Sequence, residues 1–214
     1  MAENLTVDQL LIDSPGGVAK PEILVLAHGA GAPMDSSFMN TMTELLVGHG
    51  ICVVRFEFPY MQERRSNGKR RPPNREAELL GHWRLVMEWL AERFGGQSLY
   101  IGGKSMGGRM ASLLADELEV AGLVCLGYPF HPQGKPERLR TAHLADLACS
   151  TLIVQGTRDA LGSREEVAHY DLSDAIQLCW LEDGDHDLKP RVKSGFTHEE
   201  HLIGAAAAIA RFVG

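Results

Sequence analysis

One serine sits between two glycines in Gly103-Lys104-Ser105-Met106-Gly107. The apolar run Leu99-Tyr100-Ile101 precedes it and a helix-compatible stretch follows. A serine on a sharp strand-to-helix turn has its hydroxyl lifted above the sheet edge, and the first amides of the helix aim at the same spot. Backbone packs so tightly around such a turn that side chains two residues away would clash, which calls for glycine. The chemistry this allows is nucleophilic attack on a carbonyl. Gly103-Lys104-Ser105 also ends like a phosphate-binding loop, Gly-x-x-x-x-Gly-Lys-Ser/Thr. The spacing argues against that, because position 98 is Ser98 and residues 99–101 read as strand rather than loop.

A hydroxyl attacks well only when a base takes its proton, and the base needs a third group to fix its tautomer. Behind a Gly-x-Ser-x-Gly turn of this kind the acid comes next in the chain and the histidine last. Asp159, in Gln155-Gly-Thr-Arg-Asp-Ala-Leu-Gly162, lies just past an apolar strand. It could equally be a turn aspartate capping the helix that begins near Ser163. His186, in Glu182-Asp-Gly-Asp-His-Asp-Leu188, follows the last strand; its alternative is a solvated loop histidine. Asp146 precedes its strand, and Asp183 and Asp185 share the histidine's loop. Of the nine histidines, His131 and His143 come too early, and His198 and His201 are expected on the surface of the terminal helix.

Two backbone N–H groups are needed to hold an oxyanion. Met106, directly after the serine, supplies one, and Ala30 in His28-Gly-Ala-Gly-Ala-Pro-Met-Asp-Ser36 the other, with Gly31 as second choice. His28 is expected to brace that loop rather than act as a base. Lys104 and Arg109 flank the turn. Lys104 could act electrostatically near the serine, or face solvent, or pair with a carboxylate.

The elements that must position these residues alternate between strand and helix. Continuous apolar runs at 22–27, 51–58, 99–103, 122–127, 151–155 and 175–181 fit strands buried on both faces. Residues 4–12 suggest one or two edge strands. Helices are expected from Ser36 or Ser37 to Gly48, Glu76 to Phe94, Met106 to about Leu118, over 163–171, and Thr197 to Val213. This alternation predicts a three-layer α/β/α sandwich around a mostly parallel sheet, one domain over 1–214 with its core at about 20–213. Residues 59–75 form a basic stretch holding six of the 21 Lys and Arg residues, with Pro72 and Pro73 expected to preclude a helix. Tyr60, Arg64 and Arg65 there, together with Gly31 and Lys104, are candidates for substrate contact, and for the basic stretch a solvated loop is the plainer reading.

A formal charge of −7 argues against general nucleic-acid binding. No window approaches 18 apolar residues, so no membrane span is expected. The N-terminus lacks the apolar segment of a secretory signal. Cys52, Cys125, Cys149 and Cys179 have no metal-ligand spacing and read as reduced, buried thiols of a cytoplasmic protein. No metal or other cofactor is expected.

His28-Gly29, Gly103-Lys-Ser-Met-Gly107, Gly156-Thr-Arg-Asp159 and Gly184-Asp-His186 together resemble the α/β-hydrolase superfamily. More narrowly, the chain is similar to small lidless hydrolases of the dienelactone-hydrolase-like branch. Phe58-Pro-Tyr60, Gly103 to Arg109, Gly127-Tyr-Pro and Gly134-Lys-Pro136 are similar to predicted hydrolases in it. Their eukaryotic relatives include a testis-expressed protein and a subunit of a histone-acetyltransferase complex. The resemblance implies an α/β-hydrolase fold and a Ser105–Asp159–His186 triad. In dienelactone hydrolases proper the nucleophile is a cysteine, so the serine here argues against dienelactone activity. The connection at 128–150 is too short for a lid domain. A serine hydrolase acting on a small-molecule carboxylester or thioester is the expected function, and a catalytically silent scaffold is the alternative. The basic stretch could steer anionic substrates such as CoA thioesters.

Overall fold

Alternation along the strands decides the layering. In the computed structural model, which describes residues 9–17 and 22–214, Ile23, Val25 and Ala27 face one core while Leu24 and Leu26 face the other. Leu123 and Cys125 divide from Val124 and Leu126 in the same way. Successive side chains of a strand point to opposite faces, so an unbroken apolar run means helices on both sides.

The strands are β1 (Leu10–Asp13), β2 (Ile23–Ala27), β3 (Cys52–Phe56), β4 (Leu99–Lys104), β5 (Gly122–Leu126), β6 (Thr151–Gly156) and β7 (Ile176–Leu181). They form one seven-stranded sheet in the order β1-β3-β2-β4-β5-β6-β7. Only β1 is antiparallel, paired with β3. Part of the expected N-terminal strand, residues 4–8, lies outside the described residues. Helix α1 (Ser37–Gly48) and the terminal helix α6 (His198–Val213) cover one face through Met39, Met42, Leu46, Leu202, Ala205 and Ile209. Helices α3 (Glu76–Arg93) and α4 (Met106–Ser112) cover the other through Trp83, Val86, Leu90 and Met110. Among the described residues no helix is long and apolar enough to cross a membrane.

Three helices depart from expectation. Residues Pro59–Asn67 form a helix, α2, within the basic stretch. Pro59 stands at its first turn, where a missing N–H costs nothing. Gly68, left-handed at φ 72°, ends it before Pro72 and Pro73 are reached. Helix α4 stops at Ser112 rather than near Leu118. The chain tightens there into a turn, with the Leu114 N–H donating to the Ala111 carbonyl, and the Asp116 carboxylate accepts from the Ala148 and Cys149 amides. The expected helix over 163–171 shrinks to α5 (Arg164–Val167), opened by a Ser163/Glu166 capping box and closed by successive short turns. Between β5 and β6 only a short 3-10 turn at Ala142–Leu144 interrupts the loop, so the fold carries no lid.

Candidate active site

The strand order reverses between β2 and β4: β3 lies beyond β2 on one side and β5 beyond β4 on the other. Loops leaving the carboxyl ends of such a pair diverge and open a crevice. Ala27 is in register with Gly103, so the loop after β2 and Ser105 emerge side by side. Ser105 holds φ 52° and ψ −116°, a strained conformation for a residue with a side chain. A methyl group on Gly103 or on Gly107 would overlap the Ala27 carbonyl oxygen. The Gly-x-Ser-x-Gly spacing is therefore enforced by the backbone of β2.

Two loops on the far side of the sheet converge on this serine. His186 Nε2 lies 2.8 Å from Ser105 Oγ, and His186 Nδ1 lies 2.8 Å from Asp159 Oδ2. A carboxylate oxygen only accepts, so Nδ1 carries the proton and Nε2 is left to accept from the serine hydroxyl. Asp159 is fully buried. Its carboxylate also accepts from the Leu161 amide at 2.8 Å and from Gln155 Nε2 at 2.9 Å.

Gln155 was not singled out in the sequence. It sits buried in β6, where its amide oxygen also accepts from the Tyr128 N–H at 2.7 Å. A polar amide directly after the apolar Leu152-Ile-Val154 was the available signal, since a buried amide must find partners.

Lys104 does not face solvent. Its ammonium donates to the His186 carbonyl at 2.6 Å, approaches Asp187 Oδ1 at 3.2 Å and lies over the Phe38 ring. Burial pulls its pKa below the usual lysine range, opposed by Asp187. Lys104 thus ties the histidine loop to the strand that carries the serine. Asp183 anchors the same loop through Arg191, Arg158 and the Thr157 hydroxyl, and the Arg191 hydrogen bonds hold its carboxyl down at about 2.

On the near side, Ala30 and Met106 line one cleft with Ser105. Met106 is the first residue of α4, so its N–H has no intrahelical acceptor. The loop from His28 to Gly31 is held from α2. Tyr60 donates its hydroxyl to the Ala30 carbonyl at 3.0 Å, and Arg64 donates to the Gly31 carbonyl at 3.1 Å. His28 is buried. Its Nδ1 is 2.7 Å from the Gly29 carbonyl and its Nε2 accepts from the Phe58 amide at 3.2 Å. Burial pushes its pKa below 6.5. Arg65 is bound to Glu57 at 2.6 Å and Asp35 at 2.8 Å. Tyr60, Arg64 and Arg65 thus contact the protein's own backbone and carboxylates. His201 is buried rather than on the surface; Nδ1 lies 2.9 Å from the Leu188 carbonyl, on the face of α6 turned to the histidine loop.

The cleft encloses about 1000 Å³ of open space, its mouth included. Met106, Met110, Leu79, Leu161 and three prolines give it apolar walls, and Glu76, Arg109 and Arg140 give it charge. Arg109 pairs with Glu76 at 2.6 Å. Among the described residues no group of three or more His, Cys, Asp or Glu side chains is arranged to hold a metal ion.

A parallel sheet with a strained serine at its switch point defines a class, and the sequence agrees. Residues 20–214 match the family model described as alpha/beta hydrolase domain, and the chain belongs to that family. The fold is similar to that of an alpha-beta serine hydrolase homologue from Coxiella burnetii (19% identity, TM-score 0.73, covering 96% of this chain and 91% of that one). It is similar too to a serine hydrolase without lid from Xanthomonas campestris (20%, 0.71, 95% and 87%). A third similar structure is a dienelactone hydrolase from Anabaena variabilis (19%, 0.70, 95% and 89%).

Proposed function

We propose that the protein is a serine hydrolase that cleaves a carboxylester or thioester through an acyl-enzyme on Ser105. The observation that carries this reading is the unbroken pair of 2.8 Å contacts from Ser105 through His186 to Asp159. His186 Nε2 takes the serine proton as Oγ attacks the substrate carbonyl carbon. The Met106 and Ala30 amides receive the oxyanion, where preorganised donors stabilise the charge that develops in the transition state. The tetrahedral adduct collapses, the leaving group departs with the proton from His186, and the acyl group stays on Ser105. Water, deprotonated by the same imidazole, then releases the acid. Asp159 and Gln155 keep the ring in the tautomer that accepts from serine. Lys104 and Asp183 hold the loop that carries it. None of these steps calls for a cofactor.

The test is hydrolysis of short-chain p-nitrophenyl esters and acyl-CoAs by the purified protein and by Ser105→Ala. Ester hydrolysis that survives intact in Ser105→Ala contradicts the assignment. A folded protein that turns over none of these substrates and takes no covalent serine probe would be the silent scaffold.

A further inference from the structure

The cleft beside Ser105 has more positive charge than it has partners for. Its lining includes two guanidiniums, Arg109 and Arg140, against one carboxylate, Glu76. Glu76 is committed to Arg109 at 2.6 Å. Arg109 Nε is nevertheless buried without an acceptor among the described residues. Arg140 is only partly exposed, and none of the ion pairs and side-chain hydrogen bonds among the described residues involves its guanidinium. Burial and the nearby charges of Arg109 and Arg138 both disfavour the Arg140 cation. In a protein of net charge −7, arginines lining other clefts of the described residues have found a carboxylate or a carbonyl, as Arg65 and Arg64 have on α2 and Arg84 has with Glu117. A half-buried guanidinium left without a counter-ion in an open cleft is a ready fork for an oxyanion.

We propose that Arg140, with Arg109 lining the same cleft, forms an anion subsite, so that the ester or thioester attacked by Ser105 bears a carboxylate or phosphate group. The proposal rests on the hydrolase reading above and adds the substrate class. The anion could sit on the acyl group or on the leaving group, and two pairs of probes separate these. The acyl pair is p-nitrophenyl hemisuccinate against p-nitrophenyl butyrate. The leaving-group pair is butyryl-CoA against butyryl-pantetheine.

Arg140→Gln should lower the charged-over-neutral ratio of kcat/KM in at least one pair by roughly tenfold or more, the worth of a hydrogen bond to a charged group. Arg140→Lys should retain part of that ratio, because the charge stays and the fork is lost. Lys69→Gln removes an exposed charge of the basic stretch and should keep both ratios within about twofold, since long-range charge is screened. Ratios in both pairs that Arg140→Gln leaves unchanged overturn the proposal.

A binding measurement separates this outcome from failure of the catalytic assignment. Calorimetric titration of p-nitrophenyl hemisuccinate and butyryl-CoA into Ser105→Ala needs no turnover. Binding of either that Arg140→Gln abolishes supports the subsite even if Ser105 proves not to be the nucleophile. Equal binding with and without Arg140, or no binding of either probe, overturns it.

Discussion

Two groups of residues at the cleft are built on opposite principles. Around Ser105 the polar groups are paired: serine to His186, His186 to Asp159, and Asp159 to Leu161 and Gln155. At the two arginines of the lining, among the described residues, Arg140 has no carboxylate partner and Arg109 Nε has no acceptor. Satisfied networks fix geometry, and fixed geometry is what a proton relay requires. Unsatisfied charge does the opposite: it waits for a ligand to complete it. The first group should therefore set the chemical rate for any ester, and the second should set which ester is preferred.

Substitutions can break that division. The largest effect is expected in the paired group. Ser105→Ala should lower kcat by about 10³-fold or more for charged and neutral esters alike, measured as steady-state hydrolysis. Asp159→Asn should lower it by roughly 10³-fold or more, because the amide offers Nδ1 a donor and favours the wrong tautomer. A loss confined to one substrate class in either variant would erase the distinction between the two groups. Next comes Arg140→Gln, whose roughly tenfold change should appear in the charged-over-neutral ratio.

Smaller still is Tyr60→Phe, which removes the hydroxyl that holds the Ala30 carbonyl at 3.0 Å. With the loop less well held, kcat should fall several-fold while KM moves little, since a misplaced oxyanion donor acts on the transition state. A KM effect alone would place Tyr60 against substrate instead.

The smallest effect is on stability. Burial depresses the pKa of His28 in the folded protein, so the unfolded chain binds a proton first as pH falls below 6.5. Stability should be fully present above that pH and decline below it. His143, also shifted down by burial, contributes in the same sense. Thermal melts of His28→Gln between pH 7.5 and 5 should show a shallower acid decline than the parent, and an unchanged slope would remove His28 from this account.

Much of this was legible in the sequence because local chemistry and global fold agree there. Apolar runs such as Ile23–Ala27 and Gly122–Leu126 can only be strands covered on both faces, and that fixes the layers. The elbow was legible because Gly103 and Gly107 are required by contact with one carbonyl oxygen, that of Ala27. What stayed hidden depends on partners far along the chain. The arginines of the basic stretch looked like a solvated loop or a steering patch. Two of them, Arg64 and Arg65, sit instead on helix α2, where Glu57, Asp35 and the Gly31 carbonyl take up their charge. Lys104 is adjacent to the serine in sequence, yet its partners are Asp187 and the His186 carbonyl, more than eighty residues away. The state of Arg140 is invisible to composition, since only the folded cleft shows that among the described residues its guanidinium has no carboxylate beside it.

The central claim is that Ser105 is the nucleophile. Incubation with a fluorophosphonate, followed by intact-mass analysis and peptide mapping, tests it without assuming any substrate. The account predicts one adduct, on the peptide carrying Ser105, abolished in Ser105→Ala and strongly slowed in His186→Ala. An adduct on another residue, or none on protein shown to be folded, would contradict it.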